Sequence, residues 1–239
     1  PIRKYPAIPM INSAKSTPIP LRQTLERLGR VACLALLLGG FGSGAHAALE
    51  VDNELGCGPK QLGDFGPFDY RTASEHWKHR VEPFHFTPAV EFLSKSLQQS
   101  QIGSDLDFTL RYFPNHHRAL STLVEFAVRQ KRETPIGMRF SMECWFIRAK
   151  TMAPDDAMVP TIYASYLLKT KRPKEALKEL DAAQALGEDD VNVYYNIGLA
   201  NIELGRYQEA REYAKKAYAL GHPLPGLRNK LIRLNQWQD

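Results

Sequence analysis

The chain has 239 residues, of which 31 are basic and 26 are acidic, giving a formal net charge of +5. Residues 1–47 contain six of the basic residues and only one of the acidic residues. Residues 48–239 therefore carry equal numbers of basic and acidic side chains. Nucleic-acid binding relies on a surplus of Lys and Arg that displaces counterions. The balance in residues 48–239 therefore argues against a nucleic-acid-binding protein.

Residues 1–47 have the order of a secretory signal. A basic stretch, Arg22–Arg30, precedes the apolar run Val31–Leu38, and glycines and small residues then lead to Ala47. This order predicts a cleavable signal peptide that starts at Met10, with upstream residues before it and cleavage after Ala47. The alternative is an uncleaved membrane anchor, but the apolar run is well below the roughly 20 residues that span a bilayer. We expect a periplasmic or secreted protein with no membrane span after signal cleavage.

Residues 48–86, which we call the strap, differ from the rest of the chain because Gly and Pro interrupt any helical period. The segment is nevertheless rich in aromatic residues, which a disordered tail would lack. We therefore expect an irregular strap that packs against the rest of the protein. Thr72 and Glu75 have the spacing of a capping box, which favours one short helix within it.

Two cysteines, Cys57 and Cys144, remain outside the predicted signal peptide. In an oxidising compartment an even number of cysteines tends to pair. We expect a Cys57–Cys144 disulfide that ties the strap to the helical region; the alternative is two unpaired thiols.

Helical signals begin at Thr87-Pro88, a cap residue followed by a proline at the first helical position. The first predicted helix carries an apolar stripe formed by Val90, Phe92, Leu93 and Leu97. A second helix is predicted to open at Ser104-Asp105. A third begins at about Asn115, and a fourth runs from about Gly137 to Met152.

A repeating pattern with a period of 34 residues follows. Residues 189–222 carry seven signature positions, namely Tyr194, Ile197, Gly198, Gly205, Tyr207, Ala210 and Ala217, and Ala176 and Ala183 match the two alanines one period earlier. The pattern resembles the tetratricopeptide repeat over about residues 115–222. The resemblance implies an all-α fold, an α-solenoid of antiparallel helix hairpins over residues 87–222, because one such repeat cannot bury its apolar face alone. Residues 223–239 are predicted to form a capping helix.

In this family the first helix of each unit lines a concave groove that takes an extended peptide or a partner helix. Transferred to this chain, the pattern predicts a partner-binding groove formed by Asn192, Tyr195, Asn196, Leu199, Ile202 and Glu203 together with Thr161, Ser165, Leu168 and Lys169. The alternative is that some of these side chains pack against the strap. Of these residues, Lys169 is the one suited to hold a terminal carboxylate, so a carboxylate clamp is not expected.

Motifs for catalysis and for cofactor binding are absent from the sequence, including a Gly-x-Ser-x-Gly motif and, outside the signal segment, a phosphate-binding glycine loop. These features favour a non-enzymatic, exported scaffold that binds a protein or peptide segment, with no cofactor and no metal, within a cell-envelope assembly. One alternative is a periplasmic protein that binds a metal or small molecule through His76, His79, His85 or the His116-His117 pair. Another is a structural protein whose groove is filled by its own strap.

Overall fold

The computed structural model describes Cys57, residues 66–186 and residues 190–237. These residues form ten α-helices and no strand, which confirms the all-α fold class. The helices are α1 (Glu75–His85), α2 (Pro88–Glu91), α3 (Gln99–Tyr112), α4 (His117–Gln130), α5 (Met142–Met152), α6 (Met158–Lys169), α7 (Pro173–Ala185), α8 (Val191–Glu203), α9 (Tyr207–Ala219) and α10 (Gly226–Arg233). The predicted signal peptide lies outside the described residues and stays a prediction.

Two helix hairpins, α6–α7 and α8–α9, form the regular part of the fold. Helix α7 packs against both α6 and α8, so the hairpins stack one on the next. The second helices of the two hairpins contribute Ala176, Ala183, Ala210 and Ala217, all fully buried. Small side chains at successive turns let the helix axes approach closely. The stacking predicted from the 34-residue period is therefore confirmed.

Glycine is needed at two points of the α8–α9 hairpin. Gly205 has φ +72°, a left-handed conformation that turns the chain between the helices and that glycine adopts at low cost. A Cβ atom on Gly198 would lie 2.5 Å from Leu227 Cδ2 in α10. The absence of a side chain at Gly198 lets the C-terminal helix lie directly on α8.

The N-terminal helices are less regular than the hairpins. Helix α4 packs against α2, α3 and α6, while α5 packs against α6 and α1 against α3. One continuous hydrophobic core runs from Phe86 through Trp145 and Phe146 to Ala200 in α8. The irregular helices thus extend the same core that the hairpins build.

Three helix bounds predicted in this region are wrong, and one of them is the start of α5, which begins at Met142, five residues after the predicted Gly137. Thr87 caps α2 as expected, with its side chain accepting a hydrogen bond from Val90 N–H, but α2 ends at Glu91. The hydroxyl of Thr122 donates to the Glu91 carbonyl oxygen at 3.2 Å, and Leu93 adopts φ +50°. Phe92 is consequently 74% exposed instead of joining an apolar stripe. Helix α3 begins at Gln99, five residues before the predicted Ser104.

The described part of the strap contains the eleven-residue helix α1, in the segment where the sequence favours one short helix. Ser74 is the N-cap residue, and the Thr72 hydroxyl points to the Asp69 carbonyl instead of capping the helix. Phe68 N–H donates to the Tyr112 carbonyl oxygen at 2.8 Å, and the Phe68 ring stacks on Trp77. The hydrogen bond to Tyr112 holds the strap against α3, and the stacking on Trp77 packs the strap against its own helix α1.

Cys57 and Cys144 are joined by a disulfide in the structure, with their Cα atoms 5.1 Å apart. Both residues are buried, and Arg148 donates to the Cys57 carbonyl oxygen at 3.3 Å. The oxidation state of this pair in the purified protein stays a prediction. Among the described residues, no helix combines the length and the apolar character needed to cross a membrane.

Candidate functional site

A groove of about 260 Å³ lies between α6, α8 and α10. Six of the side chains assigned to the groove from the sequence line it: Ser165, Leu168, Lys169, Asn196, Leu199 and Glu203. Helices α6 and α8 are the first helices of the two hairpins, so the side chains that they turn away from α7 and α9 meet on one face. The structure thus brings together residues that are more than thirty positions apart in the sequence.

The groove has an apolar floor with amide and hydroxyl groups beside it. Leu168 and Leu199 are half-buried. Ser165 donates to the Ile162 carbonyl oxygen at 2.7 Å, and Asn196 donates through Nδ2 to the Asn192 carbonyl oxygen at 2.9 Å. A carboxamide offers two donors and an accepting oxygen, so Asn196 has the groups needed to bond a peptide backbone while the leucines receive apolar side chains.

Two lysines that the sequence reasoning missed also line the groove. Lys171 follows α6 and Lys230 lies in α10, and both contact the Glu203 carboxylate, at 3.0 and 3.2 Å. Hydrogen bonds from the two lysines lower the pKa of Glu203. A short run of charges around Lys171 is typical of a solvated turn, and the place of Lys230 depends on how α10 docks. The charge of Lys169 is likewise matched, by Glu125 at 2.9 Å.

A second hollow, of about 520 Å³, adjoins the groove on the side of α4. Phe92, Leu93 and Met158 contribute apolar surface to it, and Glu125 lines it as well. Since Glu125 pairs with Lys169 of the first groove, the two hollows meet at this ion pair. Helices α4, α6 and α8, which pack side by side, therefore present two neighbouring apolar recesses.

Four residues assigned to the groove lie elsewhere. Thr161 is buried and donates to the Ala157 carbonyl oxygen at 2.7 Å, and Ile202 packs against Leu227 and Leu231 beneath α10. Tyr195 stacks on His222 with ring centroids 3.8 Å apart. Asn192 is half-buried in the first turn of α8, outside this groove. The assignments of Thr161 and Ile202 to the groove surface are corrected here, because neighbouring helices cover both side chains.

The described part of the strap does not line the groove. Instead it joins the α3–α4 and α5–α6 turns through a polar network. Asn115 donates to Asp69 at 2.7 Å and to Asp156 at 3.0 Å, and Arg71 pairs with Asp69 and Asp155 at 2.6 Å each. Burial by itself would raise the pKa of Asp69, but the bonds from Arg71 and Asn115 lower it to about 2.

His116 is fully buried beside this network. Its Nδ1 accepts from Ala119 N–H at 3.3 Å, so Nε2 carries the hydrogen and donates to Glu82 at 3.2 Å. The Tyr70 ring stacks on His116, and its hydroxyl donates to the same Glu82 oxygen at 2.6 Å. Burial lowers the pKa of His116 to about 4, although Glu82 opposes the shift, and burial raises the pKa of Tyr70 to about 12.

The histidines proposed as a metal or small-molecule site are held in separate places. His79 contacts the Glu75 carbonyl oxygen, His85 contacts Asp105, and His117 donates to Asp156. His76 lies edge-on to Trp77. Within the described residues, no group of three or more His, Cys, Asp or Glu side chains could hold a metal ion. The structure does not bring these histidines together.

Comparison with known protein families gives a match over the C-terminal part of the chain. The family model described as tetratricopeptide repeat matches residues 164–225, which include the second half of α6, all of α7, α8 and α9, and the turn that precedes α10. No curated protein and no solved structure matches the chain.

Proposed function

We propose that this chain, a tetratricopeptide repeat protein, is an exported, non-enzymatic scaffold that binds an extended protein or peptide segment in the groove between α6, α8 and α10. The observation that carries the proposal is the convergence of Leu168, Leu199 and Asn196 on one open groove of about 260 Å³. Repeats of this kind suggest protein partners, since stacked helix pairs create extended concave binding surfaces. Apolar recesses beside an amide suit side-chain anchoring together with backbone hydrogen bonding.

The pairing of charges supports a ligand that binds mainly through apolar and backbone contacts. Glu203 is engaged by two lysines and Lys169 by Glu125, so a ligand charge would have to compete with these contacts. The adjoining hollow beside Phe92 and Met158 supports an extended ligand with a second apolar side chain. We place this binding within a cell-envelope assembly because of the predicted signal peptide.

Site-specific photo-crosslinking tests the proposal. A photoreactive amino acid at Ser165, in the groove, should yield one discrete protein adduct in cells, whereas the same amino acid at exposed Lys178 on α7 should not. Leu168→Ser should reduce the Ser165 adduct about tenfold, because a buried apolar anchor is worth about 1.5 kcal/mol or more.

A matched control separates a groove effect from loss of folding. Leu186→Ser makes the same chemical change at a 40% exposed position at the end of α7, and it should leave the adduct unchanged. Equal adducts from Ser165 and Lys178, or equal loss in both leucine variants, would count against the groove as the binding site.

Export is tested independently of binding. We expect the protein to be recovered from the periplasm or the medium with an N-terminus at Ala48, because the predicted cleavage site follows Ala47. N-terminal sequencing of the purified protein measures this directly. A cytosolic protein that keeps residues 1–47 would contradict the proposed location and leave the groove proposal standing.

A further inference from the structure

A separate pocket of about 510 Å³ lies away from the groove, between the start of α3 and the end of α4. Its apolar surface comes from Leu93, Leu97, Ile102, Phe126 and Ile136. The volume lies within the range of about 300–1,000 Å³ that is typical of small-molecule sites. The pocket shares Leu93 and Arg129 with the second hollow, and the proposed scaffold function does not use the rest of its lining.

The charged side chains that line the pocket are all positive. Three cations line it, Lys95, Arg129 and Arg132, and no carboxylate does. In the part of the chain that the structure describes, none of the three forms an ion pair, whereas the lysines of the groove are all paired. Glu133 follows Arg132 directly but lines a different hollow. Arg129 also lines the second hollow with Glu91 and Glu125, and Arg132 Nε donates to the Thr134 carbonyl oxygen at 3.1 Å. Three cations beside an apolar wall with no carboxylate in the lining produce a positive potential that would attract an anion.

The walls of the pocket are fixed by close backbone packing. A Cβ atom on Gly103 would overlap the Ile136 carbonyl oxygen, and one on Gly137 would overlap the Ser100 carbonyl oxygen. The connection between α4 and α5 therefore lies directly on the first turns of α3. Gln130 reinforces this contact, since its Oε1 accepts from Ile136 N–H at 2.9 Å.

This packing displays the Ile136 side chain at the mouth of the pocket, where it is 38% exposed. On the opposite wall, Leu93 has φ +50°, a conformation that is costly for a leucine. This conformation turns the chain so that Leu93 joins the lining. The pocket is thus preformed, with its cations beside exposed apolar surface.

We propose that this pocket binds a small organic anion that carries one carboxylate or phosphate group on an apolar body. The apolar part would lie against Phe126, Leu97 and Ile136, and the anionic group would be held by Arg129, Arg132 and Lys95. Guanidinium groups bind carboxylate and phosphate oxygens with two parallel hydrogen bonds.

Calorimetric titration with three probes of equal chain length tests the proposal: octanoate, octyl phosphate and octanol. We expect at least one anion to bind about tenfold or more tightly than octanol, because hydrogen bonds to a charged group are stronger than those to a neutral hydroxyl. The comparison of octanoate with octyl phosphate identifies the preferred head group. Binding of the anion should weaken as salt concentration rises, since exposed charges are screened.

Paired variants locate the site. Arg129→Gln with Arg132→Gln should weaken anion binding about tenfold, while Lys178→Gln with Lys215→Gln, two exposed positions on α7 and α9, should change it less than about twofold. In ¹⁵N NMR spectra the bound anion should shift the amide signals of Gln99 and Gln130 but not those of Ser165 and Asn196. Equal binding of octanol, unchanged binding by the double arginine variant, shifts confined to the groove, or no saturable binding of either anion at millimolar concentrations would each overturn the proposal.

Discussion

His116 is a fully buried imidazole whose two ring nitrogens both have partners, Ala119 N–H on one side and Glu82 on the other. The same Glu82 oxygen accepts the Tyr70 hydroxyl, so the strap residues before α1, helix α1 itself and the start of α4 meet at this carboxylate. A buried polar group is tolerated when its hydrogen bonds are satisfied. Protonation of the ring would break the bond from Ala119, because Nδ1 would become a donor.

We predict that acid destabilises the protein through His116. The pKa of His116 is about 4 in the folded protein and about 6.5 when the residue is exposed. The unfolded chain therefore takes up this proton first as the pH falls from about 6.5 to about 4, and stability is lost across that window. The full shift corresponds to about 3 kcal/mol.

Urea unfolding followed by circular dichroism at pH 7 and pH 4 measures the effect. His116→Gln keeps an N–H donor for Glu82 but cannot be protonated, so its loss of stability between the two pH values should be smaller than that of the wild type. His79→Gln changes an exposed ring and should behave like the wild type. The same pH dependence in all three proteins would show that other groups control the acid response.

A repeat pattern predicts the position of some groove residues and not of others. Leu168 and Leu199 line the groove because a helix pattern fixes which face a side chain occupies, and their role in binding a partner stays a prediction. Thr161 and Ile202 share that face, but neighbouring helices cover them. Lys230 was missed because its position depends on the docking of α10, which no local spacing encodes.

At the scale of elements, the contact between α3 and the α4–α5 connection depends on the missing side chain at Gly103. We predict that Gly103→Ala lowers the free energy of unfolding by about 1–3 kcal/mol, because the new methyl group meets the backbone of Ile136. Alanine would otherwise favour the helix by about 1 kcal/mol over glycine. A decrease in the free energy of unfolding therefore indicates the close contact, whereas an increase would reflect helix propensity alone.

Ser104→Ala, at an exposed position one residue along α3, is the control and should have an effect within about 0.5 kcal/mol. Urea unfolding measures both variants. A Gly103→Ala protein that is as stable as the wild type or more stable would show that the connection does not lie on α3.

The cysteine pair links the strap to α5. In the chain-entropy model a disulfide between residues 87 positions apart lowers the conformational entropy of the unfolded chain. This stabilises the folded state by about 4–5 kcal/mol. We predict that Cys57→Ser with Cys144→Ser, or reduction of the wild type, lowers stability by an amount of this order. Intact mass after thiol labelling, with and without reductant, measures the oxidation state. Two free thiols in the purified exported protein would contradict the predicted bridge.

Helix bounds are predictable from the sequence where local residues set them and not where a distant contact sets them. The hairpins after residue 157 were predicted because their small residues, glycine and alanine, recur at the spacing that lets paired helices pack closely. Helix α2 was predicted too long because its end is set by a distant partner, the Thr122 hydroxyl on the Glu91 carbonyl oxygen. The early start of α3 was missed because Gln98 makes no side-chain cap that a sequence pattern could reveal.

In the described part of the chain, the buried apolar residues of the helical repeats form two main hydrophobic clusters. One hydrophobic cluster runs from Phe86 to Ala200, and a smaller one joins Ile202, Ala210 and Ala214 to Leu227 and Leu231 of α10. In a stacked repeat protein each unit contacts mainly its neighbours, so stability is a sum of local terms. The C-terminal cluster should therefore be able to open while the larger cluster stays folded.

Leu227→Ala tests this division, because Leu227 is fully buried and lies directly on Gly198. Removal of its side chain should cost about 2–5 kcal/mol. If the clusters are separable, hydrogen exchange should become faster in α9 and α10 but not in α3 and α4, because only the smaller cluster loses its contact. Ile232→Ala, at a 49% exposed position on the same helix, should change little. A uniform increase in exchange across all helices would mean that the two clusters unfold as one cooperative unit.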